Sequence, residues 1–446
     1  MTAWYQRGVF YHMYPLGMTG APKHNDGQDV IHRFQELDRW IPHISGLGCN
    51  AVYIGPLFES TSHGYDTRDY KLVDRRLGDN EDFRTFVDSC HEHGIRVVVD
   101  GVFNHTGREF FAFKDICEKR WDSPYKDWYK GVNFDWQSPL GDPFGYDAWQ
   151  GHFELSFLNL FNPAVRGYLF DVVRFWVETF DIDGIRLDCA NVLDFNFMTE
   201  LRRETSSMKE DFWLMGEVIH GDYGRWVNQD MLHSVTNYEL HKSLYSGFND
   251  HNFFEIAHNV RRLEAIGGQL YTFVDNHDED RIASKLKLEQ HLAPIYMCLF
   301  TLPGIPSIYY GGEWAVRGSR TSTSDEALRP AISMDQEETL HCELTDLIAR
   351  LGQIHSQNQE FHGGRYQELL LTNRQYAFAR WAGGSLVITA LNNDDNPASI
   401  SIPVPMSASQ AVDLLEENGT PVPVENGKIN LTLKGNWGAV LKIKGD

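Results

Sequence analysis

Three carboxylates stand just after short apolar runs. Asp188 follows Gly184-Ile185-Arg186-Leu187, Glu217 follows Leu214-Met215-Gly216, and Asp278 follows Phe273-Val274-Asp275-Asn276-His277. Taken singly, each is an ordinary surface acid or helix cap. If the runs are strands of one closed barrel, however, their ends share a rim and the acids meet there. A pair of carboxyls suits glycoside cleavage: one attacks the anomeric carbon while the other, kept protonated, assists the leaving oxygen. Burial and a neighbouring negative charge would raise the acid's pKa into its working range. Arg186, two residues before Asp188, is suited to hold that carboxylate ionised.

The elements that would position these groups are legible for the first 350 residues. Strand candidates fall at 8–15, 51–58, 96–103, 184–189, 212–218, 234–238, 270–275 and 306–310. They are rich in Val, Ile, Tyr and Phe, as parallel strands covered on both faces are. Helical patterns lie between them. Ile31, Phe34, Leu37, Ile41 and Ile44 recur at steps of three and four. Asn80 is placed to cap a helix carrying Phe83, Phe86, Val87 and Cys90, which Gly94 stops. Asn162-Pro163 opens another, with Val165, Leu169, Val172 and Trp176 on its buried side. Eight such alternations predict a closed (β/α)8 barrel in the α/β class. No GxGxxG follows the first strand, so a nucleotide-binding doubly wound sheet lacks support.

Two stretches break the rhythm. Residues 106–155 read as an irregular, aromatic excursion after the third strand, too long for an ordinary loop. From about 360 the pattern turns to strands at 368–372, 375–381, 386–392, 399–403, 428–433 and 438–444, a small antiparallel sandwich. The expected division is 1–105 with 156–358 as the barrel, 106–155 as an inserted domain, and 359–446 as a C-terminal β-sandwich.

Composition narrows the partners. The 446 residues carry a formal net charge of -22, and no basic cluster offsets it. Nucleic acid needs concentrated Lys and Arg, so it is excluded as a partner, and an anionic membrane surface is disfavoured. Residues 290–312 lack charged side chains, but Pro294, Pro303, Gly304 and Pro306 interrupt them, so they read as a buried helix and strand. The aromatic share of 13% includes 12 Trp and 19 Tyr, side chains suited to a cleft that stacks on sugar rings. None of the six cysteines forms a CxxC pair, and the start lacks the apolar core of a secretory leader. A cytoplasmic location with reduced thiols is expected.

Several segments resemble the α-amylase family of retaining α-glucan-active enzymes. They are Asp100-Gly101-Val102-Phe103-Asn104-His105, Gly184 to Asp188, Gly216-Glu217-Val218 and Phe273 to Asp278. Ser62-His63-Gly64-Tyr65, Leu158-Asn159 and Gly304 to Gly311 follow the family order as well. The resemblance implies Asp188 as nucleophile, Glu217 as general acid/base and Asp278 as transition-state stabiliser. It also implies sugar contacts from His63, Tyr65, His105, Arg186, His277 and Arg281, with Tyr65 stacking under the sugar. Tyr65 and the Trp-rich 121–149 stretch are where glucose rings are expected to stack. Asn104 matches a calcium ligand, so structural calcium is left open, while no cofactor is required for the chemistry.

Where many α-amylases place Lys-His after the nucleophile, this chain has Asn191-Val192. An Asn there is similar to the cyclomaltodextrinase, neopullulanase and maltogenic amylase branch. The first strand begins near residue 8, leaving no room in this sequence for that branch's extra N-terminal domain, so oligomeric state is not carried over. The implied activity is hydrolysis of α-1,4 bonds in maltooligosaccharides, cyclodextrins or starch-type glucans. The alternative is a transglycosylase of the 4-α-glucanotransferase type on the same scaffold.

Overall fold

A computed structural model describes residues 3–416 and 419–445. Met1 and Thr2 of the leader reading, and Glu417, Asn418 and Asp446 of the expected sandwich, lie outside the described residues. Eight parallel strands form one sheet: β1 Phe10–Met13, β2 Ala51–Ile54, β3 Arg96–Gly101, β4 Gly184–Leu187, β5 Trp213–Gly216, β6 Ser234–Val235, β7 Tyr271–Phe273 and β8 Ile305–Tyr309. Neighbours pair in chain order from β1 to β6, and β1 pairs β8, which pairs β7. A parallel bridge from Thr236 to Tyr271 joins β6 to β7 and closes the barrel. All eight strand candidates therefore exist, seven of them shortened and the last shifted by one residue to Ile305–Tyr309. Nearly every barrel-strand side chain is buried, because helices cover the outside and other strands' side chains fill the inside.

The helical readings need two corrections. The stripe from Ile31 to Ile44 is not one helix but two, Phe34–Asp38 and Ile41–Gly46, and Ile31 precedes both with 40% exposure. Pro42 explains the break: it offers no amide hydrogen, and its ring clashes with the carbonyl four residues back. The cap of helix Asn80–Glu92 is Asp79 rather than Asn80. Asp79 accepts the Glu81 and Asp82 amides at 2.9 and 3.0 Å, while Asn80 turns its own amide group to Val73 and Lys71. Helix Pro163–Phe180 starts on Asn162 and buries Val165, Leu169, Val172 and Trp176 as its pattern predicts. Residues 290–312 contain helix Leu292–Thr301 and then β8. Among the described residues, no helix is long and apolar enough to cross a membrane.

The excursion after β3 is more regular than its sequence suggests. It holds helix Phe111–Lys119, which buries Ala112, Phe113 and Ile116. Strand His152–Phe157 pairs with both His105–Gly107 and Ala148–Trp149, forming a small sheet beside the barrel mouth. The C-terminal part is a six-stranded antiparallel sheet packed with a separate two-stranded antiparallel sheet, Ala398–Pro403 with Lys428–Leu433. Two of its strands, Gln410–Asp413 and Thr420–Pro423, escape the sequence reading. The latter carries Pro421 and Pro423, which are tolerated because it is an edge strand.

Candidate active site

The C-terminal ends of β3, β4, β5 and β7 open into one cleft of about 780 Å³. His63, Tyr65, His105, Asp188, Glu217 and Asp278 line its floor and near wall. Asp188 and Glu217 are the residues immediately after β4 and β5, so the parallel register that pairs Gly216 with Leu187 sets them side by side. A carboxylate oxygen of each lies within 4.8 Å of the other.

Arg186 organises the acids from below. It is 3% exposed, and its guanidinium reaches Asp188 Oδ1 at 2.8 Å, Glu217 Oε1 at 3.0 Å and Asp100 Oδ1 at 2.9 Å. One cation thus faces three buried carboxyls, and they cannot all ionise at low cost. Burial drives both Asp100 and Glu217 toward their neutral forms, and of these two Glu217 is the one that lines the cleft. Burial, then the charges of Asp188 and Asp278, push its pKa up to about 7 against the opposing pull of Arg186. The Cys189 amide donates to Glu217 Oε2 at 3.0 Å and fixes the carboxyl plane. Burial would also raise Asp278, but His277 and Arg329, each 3.0 Å from its carboxylate, hold it well below the usual range. The site therefore pairs Glu217, an acid pushed toward its protonated form, with Asp278, a carboxyl that loses its proton readily.

Tyr65 and His277 form one unit. Their rings stack at 5.8 Å and 13°, and Tyr65 Oη meets His277 Nε2 at 2.5 Å and donates to Asp100 Oδ2 at 3.2 Å. His277 is itself buried, 2% exposed, between Tyr65 and Asp278. His105 lines the cleft with its Nε2 unpartnered, and its ring lies beside Trp149. Asn191 sits on the exposed turn after β4, on the cleft's outer side with Ile219.

Two placements depart from expectation. Arg281 is not at the cleft wall: it is fully buried, with its guanidinium 4.0 Å from the Tyr309 ring, and it donates to the Tyr310 carbonyl. Arg320 and Arg329 line the cleft instead, and Arg329 is the nearer to Asp278. Of the Trp-rich stretch, only Trp149 lines the cleft. Trp128 is buried, and the exposed rings of Trp121 and Trp136 pack on Phe134 and over Gly145. Asn104 turns its amide to His105 Nδ1 at 3.2 Å. Acids of the excursion are already engaged, Asp142 by Arg108, Ser138 and Tyr146 and Asp115 by Lys119 and Ser123. Among the described residues, no group of acids, His or Cys close enough to share an ion surrounds Asn104. Calcium also takes backbone and amide carbonyl oxygens, so this placement leaves the expectation of structural calcium open.

Sequence reasoning passed over Asp100, Tyr238 and Arg329. Asp100 ends the apolar run of β3 and stood inside a quoted motif. Tyr238 follows β6 and reaches Glu217 Oε1 at 3.4 Å. Arg329 had no local signal, because it lies on a loop far from Asp278 in sequence.

Comparison with known proteins agrees with this geometry. Residues 35–343 match the family described as alpha amylase, catalytic domain. The chain is 32% identical to neopullulanase 2 of Thermoactinomyces vulgaris, over 98% of this chain and 78% of that protein. It is 29% identical to a cyclomaltodextrinase of Thermoanaerobacter pseudethanolicus, over 87% of this chain and 71% of that one. Among solved structures, the debranching enzyme from Nostoc punctiforme superposes with a TM-score of 0.84 at 26% identity, covering 99% of each chain. On the extent of these matches and the shared barrel, the chain belongs to the α-amylase family of glycoside hydrolases.

Proposed function

We propose that this chain is a retaining α-glucan hydrolase that cleaves α-1,4-glucosidic bonds in maltooligosaccharides, cyclodextrins and starch-type glucans. The single observation that carries the mechanism is the pairing of Asp188 with Glu217. An oxygen of each lies within 4.8 Å of the other, short of the roughly 6.5–9.5 Å gap that an inverting enzyme leaves for water. Asp188, which accepts a hydrogen bond from the Arg186 guanidinium at 2.8 Å, forms a bond to the anomeric carbon as the glycosidic bond breaks. Glu217, with its pKa near 7, gives its proton to the leaving oxygen. Water then attacks the same carbon, returns a proton to Glu217 and releases Asp188. Asp278, ionised by His277 and Arg329, grips sugar hydroxyls and stabilises the oxocarbenium-like state. Tyr65 stacks under the reacting sugar, and His63, His105 and Asn191 bond hydroxyls along the cleft. His277 and Arg186 act mainly through the acids they hold. No step is routed through a metal.

The relatives' names support cyclic and branched glucans as substrates. Product analysis on linear maltooligosaccharides, β-cyclodextrin, pullulan and starch tests the reading. Release of α-anomeric product, followed by NMR before mutarotation, is expected; a β-anomer would overturn retention. Rapid starch depolymerisation with negligible cyclodextrin cleavage would reject the preference for small and cyclic glucans. One feature favours a second, transglycosylating outcome: Ile219 and Val192, both about two-fifths exposed, flank Asn191 with apolar surface where an acceptor sugar would enter. Longer products at rising maltose concentration would reveal it.

A further inference from the structure

Cys189 lies between the two reacting acids, and the hydrolytic cycle uses only its backbone. It is 8% exposed, faces the cleft and adopts a left-handed conformation with φ of 50°. That backbone turn brings its sulfur close to both carboxyls: Cys189 Sγ and one oxygen each of Asp188 and Glu217 lie within 4.8 Å of one another. Arg186 occupies one oxygen of each acid, Asp188 Oδ1 and Glu217 Oε1; Glu217 Oε2 accepts the Cys189 amide at 3.0 Å, so an ion there shares that oxygen's second lone pair. The cleft gives an ion in solution a way in. Among the described residues, one other group of this kind exists, His32 with Asp79 and Asp82. It has no sulfur, and its carboxylates already accept helix-capping amides.

We propose that Asp188, Cys189 and Glu217 form a chelating site for a thiophilic divalent cation of the Zn²⁺ class, and that its binding arrests hydrolysis. On binding, the Cys189 thiol proton and the Glu217 carboxyl proton pass to solvent, the sulfur and two carboxylate oxygens bond the ion, and a water completes four-coordination. Zinc bonds of about 2.0–2.3 Å set donor spacings that fall within the 4.8 Å spanned by the three atoms. The sulfur selects soft cations; Mg²⁺ and Ca²⁺ prefer all-oxygen shells and are not held. Because the ion takes both the attacking and the proton-donating group, inhibition is complete at saturation and competitive with glucan.

Cobalt(II) titrated into the full chain tests the site without turnover. The expected result is a thiolate-to-cobalt charge-transfer band in the near ultraviolet, bleached by Zn²⁺ and absent from both Cys189→Ala and Cys189→Ser. In parallel, Zn²⁺ is expected to inhibit the unaltered enzyme. Each variant, compared with its own metal-free rate, should need at least about tenfold more Zn²⁺. Equal concentrations of Mg²⁺ or Ca²⁺ should leave all three rates unchanged. A missing band in the unaltered protein, or a band and inhibition that persist in both variants, overturns the proposal. The optical readout stands whichever glucan is the substrate, so failure of the substrate assignment is separately visible.

Discussion

At the scale of single residues, the site rests on giving like groups unlike environments. Glu217 and Asp278 are both carboxyls at the mouth of one barrel. Glu217 shares Arg186 with two other acids, while Asp278 has His277 and Arg329 beside it. The first difference predicts a pH limb. Glu217 must be protonated to assist the leaving group, so kcat/KM should fall as pH rises through about 7. A pH–rate profile on a neutral maltooligosaccharide checks this, and a rate that climbs steadily to pH 9 would refute it. The second difference concerns Arg329, which also lies 4.5 Å over the Tyr14 ring and donates to the His277 carbonyl. Arg329→Gln removes a positive charge beside Asp278, so the Asp278 carboxyl should hold its proton to higher pH. The acidic limb should move up and kcat should drop by about tenfold or more near neutrality. Unchanged limbs with only KM raised would make Arg329 a substrate contact alone. The three acids could be found from sequence because each follows an apolar strand within a recognisable segment. Arg329 could not, since its contact with Asp278 exists only once a long loop folds back over β7. Nor could the burial of Arg281, which depends on aromatic rings from β8.

At the scale of elements, the strands were legible because a buried parallel strand is written as an uninterrupted apolar run. The helices were legible in their faces but not in their continuity: Phe34, Leu37, Ile41 and Ile44 are all buried, yet Pro42 splits their helix. The excursion was illegible because its helix is short and its sheet borrows His105–Gly107 from beyond β3. The strands also carry polar fasteners that hydropathy does not show. Asp183 precedes β4 at the end opposite the cleft and is 1% exposed. It accepts the Val97 amide at 2.9 Å and faces Arg96, Lys209 and His91, tying β4 to β3 and to two helices. Burial would raise its pKa, but His91, Lys209 and the Val97 amide together lower it to about 2. A carboxyl depressed on folding binds its proton more readily when unfolded. Its contribution, about 2 kcal/mol, is therefore full above pH 4 and is lost as pH falls toward 2. Asp183→Asn should destabilise the protein at pH 7 by at least that amount and flatten its acid unfolding between pH 4 and 2. Denaturant titrations at several pH values measure both, and an equal loss at pH 7 and pH 2.5 would exclude the electrostatic account.

At the scale of the whole molecule, the question is whether barrel and C-terminal sheets unfold together. The sheets have an apolar core of their own around Ile388, Leu386 and Ile443. Tyr366, Tyr376, Phe378 and Leu391, however, belong to the same buried cluster as the barrel helices, and Ile354 with Phe361 packs on Val387 and Val440. The seam also holds a buried cation. Arg380, 1% exposed, donates to the Thr301 carbonyl at 3.0 Å and to the Phe361 and Gly364 carbonyls at 3.3 and 3.1 Å. Thr301 ends the helix that precedes β8, so Arg380 satisfies a helix-end carbonyl that the barrel alone would leave bare. An interface this apolar and this closely hydrogen-bonded should couple the two parts, giving one calorimetric transition rather than two. Arg380→Ala would leave buried carbonyls without donors, at a cost of about 2–4 kcal/mol. Because the lost bonds lie at the seam, the variant should also split the transition into an early C-terminal step and a later barrel step. Scanning calorimetry decides: two transitions already present in the unaltered protein, or an Arg380→Ala melt that shifts as a single peak, would place the cooperativity elsewhere than at this seam.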